Sequence, residues 1–355
     1  MYRLVQRRGI IGLFCLLFVA SSVVPGWAQK DNRFEVSKNL DIFNSLLKEV
    51  EMFYVDSVDV DKTVQRGIEA MLAGLDPYTE YYPEQKTEEL SLMTTGEYGG
   101  IGSLIRQRNN EGGVMIAEPT EGMPADLAGL KPGDLILAID TIDVSKATNS
   151  RVSELLKGVP NTKMVLTIQR PGEKKPRKFE ITRKQITTPQ VTYYGVKNDS
   201  IGYIYLKAFT IKSAQEVKEA FLDLKKNHNI KSLVLDLRGN GGGVLEGAVQ
   251  IVGMFVPKGS EVLSTKGKIK QWDRTYRTST EPLDTVMPLA ILINGGTASA
   301  AEIVSGSLQD MDRAVLVGQR SFGKGLVQAP RDLPYNGKVK ITMSKYYIPS
   351  GRCIQ

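Results

Sequence analysis

Hydrophobic positions in the first part of the chain repeat at helical spacing. Between residues 34 and 75, apolar side chains recur every three or four positions, which predicts amphipathic helices. They are Leu40, Phe43, Leu46, Leu47, Val50, Phe53, Val64, Ile68, Met71 and Leu72. The pattern ends at Gly74 and is followed by the turn-forming sequence LDPY at 75–78. We therefore expect an N-terminal helical region over residues 29–86.

Residues 87–185 carry a second pattern, in which short β-prone runs alternate with glycine-rich turns. The runs are GVMIAEP (113–119), DLILAID (134–140) and KMVLTIQR (163–170), and a helical stretch covers 149–157. Several short strands with one or two helices in a segment of this length predict a compact, partly open β-barrel.

Beyond residue 200, strand-like and helix-like runs alternate. The strand-like runs are SIGYIYLKAF (200–209), KSLVLDLR (231–238), MPLAILING (287–295) and RAVLVG (313–318), and the helix-like runs are 213–227, 245–256 and 296–310. The strand-like runs are almost continuously apolar, as expected of parallel strands that are covered on both faces. The whole chain is therefore predicted to be a multi-domain α/β protein.

The first 28 residues have the pattern of a secretory signal peptide. Three arginines precede an apolar run at 10–24, Pro25 breaks the run, and the small residues Gly26 and Ala28 suit a cleavage site. The run is shorter than the roughly 20 residues that a membrane-spanning helix needs. We therefore expect an exported protein of the periplasm or cell envelope. The alternative is an uncleaved anchor, and only then is membrane association expected.

Composition excludes several kinds of site. The chain has one histidine and two cysteines, too few for a zinc site or a disulfide scaffold, and we expect neither a metal nor another cofactor. The formal net charge is +7, and it falls to +4 without the three arginines of residues 1–28. Because the remaining basic residues are scattered, no nucleic-acid partner is predicted. Cleavage after Ala28 would leave Cys353 as the only cysteine and exclude an intrachain disulfide.

Two loops that follow predicted strands have an unusual composition. In open α/β sheets, sites form where such loops leave the carboxyl ends of the strands. The loop RGNGGG (238–243) has four glycines and is able to direct its amides at an anion or an oxyanion, although a tight strand-to-helix turn is the alternative. In GGTASAAE (295–302), Ser299 is surrounded by small residues and is a candidate nucleophile. The alternative is that Thr297 or Ser299 only caps the helix.

A serine nucleophile needs a base, and the sequence offers two candidates. His228 lies in KKNHNI at the polar C-terminal end of a predicted helix, where a solvated surface position is expected. Lys324 lies between glycines and beside Phe322, in a stretch of low charge that permits the desolvation needed to lower a lysine pKa. Gln328 follows four residues later and is placed to hold the amine. Ser299, Lys324 and Gln328 therefore form a candidate Ser-Lys site.

The same segments, taken in order, resemble one family. GGTASAAEIVSGSLQD (295–310) followed by VGQRSFGKGLVQ (317–328) resembles the signature of the C-terminal processing peptidases, also called tail-specific serine peptidases. DLRGNGGG (236–243) resembles the oxyanion loop of that family. The resemblance implies Ser299 as nucleophile, Lys324 as general base and Gln328 as the residue that orients the lysine. It implies that the amides of Ala300 and Gly242 form the oxyanion hole.

A second part of the resemblance concerns residues 87–185. GGIGS (99–103) together with GLKPGDLILAID (129–140) resembles the PDZ domain embedded in these peptidases. The resemblance implies that a ClpP/crotonase-like α/β peptidase core carries an inserted PDZ domain. A PDZ groove binds a peptide as an added strand and holds its terminal carboxylate with loop amides. The residues that match that loop are Gly99, Gly100, Ile101 and Gly102.

The chain departs from the family pattern at two places. Ala301 stands where the family commonly has a serine, but this is not the nucleophile position. The chain stops at Gln355, at the end of KYYIPSGRCIQ, whereas family members usually continue. We therefore expect a peptidase core over residues 186–355 that is truncated at its C-terminus.

These features predict an exported serine endopeptidase that cleaves proteins recognised through accessible C-terminal tails. The competing hypothesis is a catalytically impaired tail-binding protein with a peptidase-like fold. Acyl-CoA chemistry on a crotonase-like fold would use the same oxyanion loop, but it explains neither the PDZ segment nor Lys324. Self-association into a homo-oligomer is compatible with the sequence.

Overall fold

The computed structural model describes residues 32–108 and 112–355, so the predicted signal peptide lies outside the described residues. The chain divides into two compact units, Met1–Ile68 and Glu69–Gln355. Within the described ranges, no helix combines the length and the apolarity that a membrane span requires. No three His, Cys, Asp or Glu side chains of that same part of the chain are grouped as metal ligands would be.

The helical spacing of the first part of the chain produces helices, as predicted. The elements up to residue 95 are helix α1 (Arg33–Phe53), helix α2 (Val60–Ala73), strand β1 (Glu80–Tyr82), a 3-10 turn (Glu84–Lys86) and helix α3 (Thr87–Thr95). Helix α1 buries none of its side chains within the described chain. A carboxylate oxygen of Asp59 accepts the Lys62 amide at 3.1 Å and so caps the first turn of α2.

The segment with short β-prone runs forms a small β-rich module. Its elements are β2 (Glu97–Gly100), β3 (Ser103–Gln107), β4 (Val114–Pro119), α4 (Pro124–Leu127), β5 (Leu135–Ile139), β6 (Ile142–Asp143), α5 (Asn149–Leu156), β7 (Lys163–Gln169), β8 (Arg177–Thr182) and β9 (Lys184–Thr187). The main sheet has the strand order β3-β4-β5-β7-β8, and β2 pairs separately with β9. Alternate residues of β7, which are Met164, Leu166 and Ile168, are buried in a core shared with Val152 and Leu156 of α5.

The rest of the chain is an α/β domain. Its elements are β10 (Val191–Lys197), β11 (Ile201–Leu206), α6 (Ser213–Asn227), β12 (Ser232–Asp236), α7 (Leu245–Gly253), β13 (Glu261–Gly267), a 3-10 turn (Lys270–Trp272), β14 (Arg274–Arg277), β15 (Leu289–Ile293), α8 (Ala300–Asp310), β16 (Val315–Gly318), β17 (Leu326–Asp332) and β18 (Lys338–Tyr347). One sheet has the order β10-β11-β12-β15-β16, and the pairs among its last four strands are parallel, which confirms the prediction from the apolar runs.

The two loops of unusual composition leave the same edge of this sheet. They follow β12 and β15, which pair in parallel, so both loops begin at the carboxyl ends of neighbouring strands. Hydrogen bonds join the loops directly. The buried Thr297 hydroxyl donates to the Leu237 carbonyl at 2.8 Å, and the Ala298 amide donates to the Asn240 carbonyl at 2.9 Å.

A second sheet brings together distant parts of the sequence. It has the order β1-β18-β13-β14, and β17 pairs with the other edge of β18. Strand β1 comes from the end of the region that the sequence pattern predicts to be helical. Its three residues pair antiparallel with β18, with Glu80 opposite Lys340, so this short strand depends on a contact that local spacing cannot reveal.

A buried ion pair between Asp134 and Arg170 stabilises the β-rich module. Both oxygens of the fully buried Asp134 carboxylate accept hydrogen bonds from Arg170 at 2.8 Å, and one also accepts the Lys131 amide at 2.8 Å. Burial disfavours the charged carboxylate, but these hydrogen bonds outweigh it and hold the pKa of Asp134 below its ordinary value. The resulting stabilisation is present above the pKa of the unfolded chain and is lost as pH falls through the folded-state pKa.

We predict that Asp134→Ala lowers the free energy of unfolding of this module by about 3 kcal/mol at pH 7, because it leaves the Arg170 guanidinium without its partner. Hydrogen exchange at the β7 amides measures the loss. Glu180→Gln, which breaks the exposed pair with Lys163, serves as the control and should not change protection. Equal protection in Asp134→Ala and the native protein would contradict the prediction.

Candidate active site

Ser299 occupies a strained turn between β15 and α8. Its backbone has φ 55° and ψ −118°, a region that residues with a side chain rarely adopt. The turn is held by the Thr297 hydroxyl, which accepts the Asn294 amide at 2.9 Å and donates to the Leu237 carbonyl at the end of β12. Ser299 alone takes the predicted cap position. A strained residue at a strand-to-helix turn is typical of a nucleophile whose hydroxyl must be exposed to the substrate.

The Glu302 carboxylate connects the Ser299 turn to the Lys324 segment. Its Oε2 accepts the amides of Ser299 at 2.8 Å and Lys324 at 2.9 Å. Its Oε1 accepts the Gly323 amide at 2.6 Å and the Ser321 hydroxyl at 2.7 Å. Glu302 is only 1% exposed, and four donors occupy the acceptor sites that an ionised carboxylate offers. This side chain therefore fixes both segments through their backbones.

Tyr346 of β18 contacts the backbone carbonyls of the same two residues, Ser299 and Lys324. Its hydroxyl donates to the Lys324 carbonyl at 2.5 Å and lies 3.2 Å from the Ser299 carbonyl. The ring is 1% exposed, and burial, together with the negative charge of Glu302, raises the pKa of Tyr346 well above its ordinary value. The hydroxyl therefore stays protonated and remains a donor at physiological pH.

The Lys324 amine lies in a partly desolvated position. Its Nζ is 4.6 Å from the centroid of the Tyr78 ring. Burial is the main cause that lowers the pKa of Lys324, and the positive charge of Lys340 lowers it further, whereas Glu80 and Asp76 act in the opposite direction. A lysine with a lowered pKa has a larger neutral fraction, which is the form that accepts a proton.

Gln328 lies on β17, beside β18. Its side-chain amide donates to the Thr342 hydroxyl at 3.2 Å. The hydrogen bond that the structure records for this side chain is thus with β18 and not with Lys324. Its role in orienting the lysine stays a prediction.

The glycine-rich loop packs directly against Ser299. A Cβ atom at Gly242, where φ is +95°, would lie 2.7 Å from the Ser299 Cβ and 2.9 Å from the Ala300 amide nitrogen, so only glycine fits. The Gly242 amide donates to the Asn240 side-chain oxygen at 2.9 Å. This amide is therefore engaged within the loop, which does not favour its predicted role as an oxyanion donor.

The next residue, Gly243, presents its amide differently. It forms an isolated parallel bridge with Phe209, in which Phe209 donates to the Gly242 carbonyl and accepts the Val244 amide, both at 2.9 Å. Because backbone groups alternate in direction along an extended segment, the Gly243 amide points away from Phe209. Within the described chain, neither this amide nor that of Ala300 has a recorded acceptor.

The four residues that are predicted to form a carboxylate-binding loop lie in two different elements of the β-rich module. Gly99 and Gly100 belong to β2 and pair with β9. Ile101 and Gly102 form the turn into β3, and Gly102 has φ +67°. Their carbonyls accept other backbone amides, but no described residue accepts the Ile101 or Gly102 amide. Both residues are buried, and binding of a ligand by these two amides at the start of β3 stays a prediction.

His228 lies where the sequence predicted it. It caps the C-terminal end of α6, its side chain is half-exposed, and its Nε2 lies 3.8 Å from an Asp223 carboxylate oxygen. It takes no part in the hydrogen bonds that join the Ser299 and Lys324 segments. Glu302, Tyr346 and Tyr78 were the residues that sequence reasoning missed. The one available signal was that Glu302 is the only charged residue between positions 295 and 309.

Comparisons with known proteins match both parts of this architecture. The model of peptidase family S41 matches residues 200–355, and that of a PDZ domain matches residues 115–170. A carboxy-terminal-processing protease of Bartonella bacilliformis is 36% identical over 343 residues, which are 96% of this chain and 77% of the relative.

Two further matches have similar coverage of this chain. A probable CtpA-like serine protease of Staphylococcus aureus is 33% identical over 89% of this chain, which spans 62% of that relative's length. Among solved structures, a photosystem II D1 C-terminal processing protease is 29% identical, covers 88% of this chain and 89% of its own, and has a TM-score of 0.49.

We predict that Glu302→Gln slows the reaction of Ser299 with a serine-directed acylating probe by about 100-fold, because a side-chain NH2 cannot accept the amides that it would face and the two segments move apart. Mass spectrometry of the labelled peptide measures the rate. Ser305→Ala, one turn later in α8, is the control, because the buried Ser305 hydroxyl bonds only within the helix. Native labelling of Glu302→Gln would contradict the role of the carboxylate.

Proposed function

This chain belongs to peptidase family S41, and from that premise we propose that it is an exported serine endopeptidase that cleaves proteins recognised through their C-terminal tails. The observation that carries the proposal is the joint attachment of Ser299 and Lys324 to Glu302 and Tyr346, with the lysine pKa lowered by burial. The names of the curated relatives refer to carboxy-terminal processing and to serine protease activity. Export rests on the pattern of residues 1–28.

In the proposed reaction, neutral Lys324 accepts the hydroxyl proton of Ser299. The oxygen then attacks the substrate carbonyl and forms a tetrahedral intermediate. Collapse of that intermediate passes the proton from the lysine to the leaving amine and leaves an acyl-enzyme. Water hydrolyses the acyl-enzyme, with Lys324 again acting as base.

The oxyanion donors that we propose are two backbone amides on adjacent loops. Ala300 follows the nucleophile at the first position of α8, where the helix leaves its amide without an intrahelical acceptor. Gly243 is favoured over Gly242, since the Gly242 amide is already bound to Asn240. The close approach of Gly242 to Ser299 supports this proposal, because the loop lies against the Ser299 side chain.

Substrate tails are proposed to bind along β3. This strand is at the edge of its sheet, so its outer side is open to an added strand. The Ile101 and Gly102 amides at its start are suited to a terminal carboxylate. Helix α5 is tied to the strand that precedes this turn, because the amide of Gly158, which follows the helix, donates to the Gly99 carbonyl of β2 at 3.1 Å. Strand addition would therefore hold the tail while the cleavage site reaches Ser299.

A catalytically impaired tail-binding protein is the second candidate. The observation in its favour is that Gln328 bonds to Thr342 and not to Lys324. Covalent labelling of Ser299 in the purified protein separates the two functions, because a binder would leave the serine unmodified.

We predict that Ser299→Ala and Lys324→Ala each abolish cleavage of unstructured casein, whereas His228→Ala and a chelator do not. Because Lys324 must be neutral, activity should rise as pH rises through its pKa, with a midpoint below the ordinary lysine value of about 10.4. Gel analysis and a pH series of initial rates measure both effects. Retained turnover in Lys324→Ala would exclude this lysine as the base.

We predict that converting the terminal carboxylate of a bound peptide to an amide weakens binding at least about tenfold, because the loop amides lose a charged acceptor. The peptide is the tightest binder from a library with free C-termini, and calorimetry on intact Ser299→Ala protein measures its affinity without cleavage. The same peptide with an acetylated N-terminus is the control. Equal affinity of the amide and carboxylate forms would exclude carboxylate recognition at β3.

A further inference from the structure

The turn-forming sequence LDPY, which the hydrophobic pattern marks only as the end of a helical region, packs against the catalytic lysine. The Tyr78 ring faces the Lys324 amine, with Nζ 4.6 Å from the ring centroid. Tyr78 and Lys324 are both partly buried. The amine therefore has an aromatic surface on one side where water would otherwise reach it.

A set of short hydrogen bonds fixes the position of this turn. The Asp76 carboxylate accepts the amides of Tyr78 at 2.7 Å and Thr79 at 2.8 Å, and it also accepts the Thr79 hydroxyl at 2.9 Å. Thr79 is buried, and its hydroxyl oxygen accepts the Thr342 amide of β18 at 3.1 Å. The turn is thereby attached to the strand that also carries Tyr346.

Three charged side chains act on the amine. They are Asp76 in the turn, Glu80 on β1 and Lys340 on β18. Lys340 is held by Glu80 at 2.5 Å and donates to the Tyr82 hydroxyl at 3.1 Å. Both carboxylates favour the charged form of Lys324, and Lys340 opposes it. The lowered pKa of the amine therefore depends mainly on the exclusion of water.

We propose that Tyr78 is a positioning residue for Lys324, whose ring both holds the amine in place and limits its hydration. The proposal rests on the role of Lys324 as the base. While the amine is neutral, the ring replaces water on one side of it. When the Ser299 proton arrives, the ammonium is attracted by the electron-rich surface of the ring. This attraction is weaker than the hydration that the ring excludes, so the net effect of the ring is to lower the lysine pKa. The ring thus contacts the lysine amine both before and after proton transfer.

The test is the pH dependence of Ser299 modification by a serine-directed acylating probe, measured on the intact chain. In Tyr78→Ala, water reaches the amine and the midpoint of the acid limb moves up by about one pH unit, which lowers the rate at pH 7.5 about tenfold. Tyr78→Phe retains the ring and the native midpoint. Tyr81→Ala is the matched control, because the Tyr81 ring lies against Gly337 in the β17–β18 hairpin.

A native midpoint in Tyr78→Ala, or an equal shift in Tyr81→Ala, overturns the proposal. If Tyr78→Ala does not fold, Thr79→Val replaces it, because this variant keeps the ring but removes the attachment to β18. Its midpoint should move in the same direction, and an unshifted midpoint again overturns the proposal. Failure of the proposed function looks different: the native protein would not be labelled, or Lys324→Ala would be labelled at the native rate.

Discussion

The arrangement of the candidate active site depends on one buried carboxylate that accepts four hydrogen bonds. Glu302 binds the amides of Ser299 and Lys324 through a single oxygen, so neither segment can move without breaking a charge-assisted bond in a site that excludes water. Tyr346 makes the complementary contacts with the carbonyls of the same two residues. The Glu302 carboxylate is occupied by three backbone amides and the Ser321 hydroxyl. Within the described chain, no carboxylate forms a hydrogen bond with the Lys324 amine. That absence matters, because an ion pair would hold the lysine in its charged form.

The topology explains how such a site forms from distant parts of the chain. Parallel pairing of β12 and β15 brings the glycine-rich loop to the Ser299 turn. The second sheet then adds β17 and β18, which carry Gln328 and Tyr346, and β1, which follows the Tyr78 turn. The bond between Thr79 and Thr342 joins residues 263 positions apart. The β-rich module is inserted between these two segments, so the peptidase core includes chain from both sides of the insertion.

Local sequence was sufficient to single out the two candidate residues that the structure attaches to one carboxylate. Ser299 and Lys324 stand out by their small neighbours, by their positions after strands and by their spacing, and the parallel core follows from the apolar runs. Local sequence was insufficient to identify residues that act through long-range contacts. Glu302 reads as an ordinary acidic residue in the first turn of a helix, and Tyr78 reads as part of a turn. The choice between Gly242 and Gly243 depends on the direction of one amide, which composition cannot supply because both residues are glycines in the same loop.

The proposed role of Lys324 as a base requires that the pKa of its amine lies below the ordinary lysine value. An NMR titration of the intact protein with labelled lysine tests it most directly, with the Lys324 resonance identified by its absence from Lys324→Arg. We expect a titration midpoint clearly below the ordinary lysine value of about 10.4. A midpoint at or above that value would contradict it.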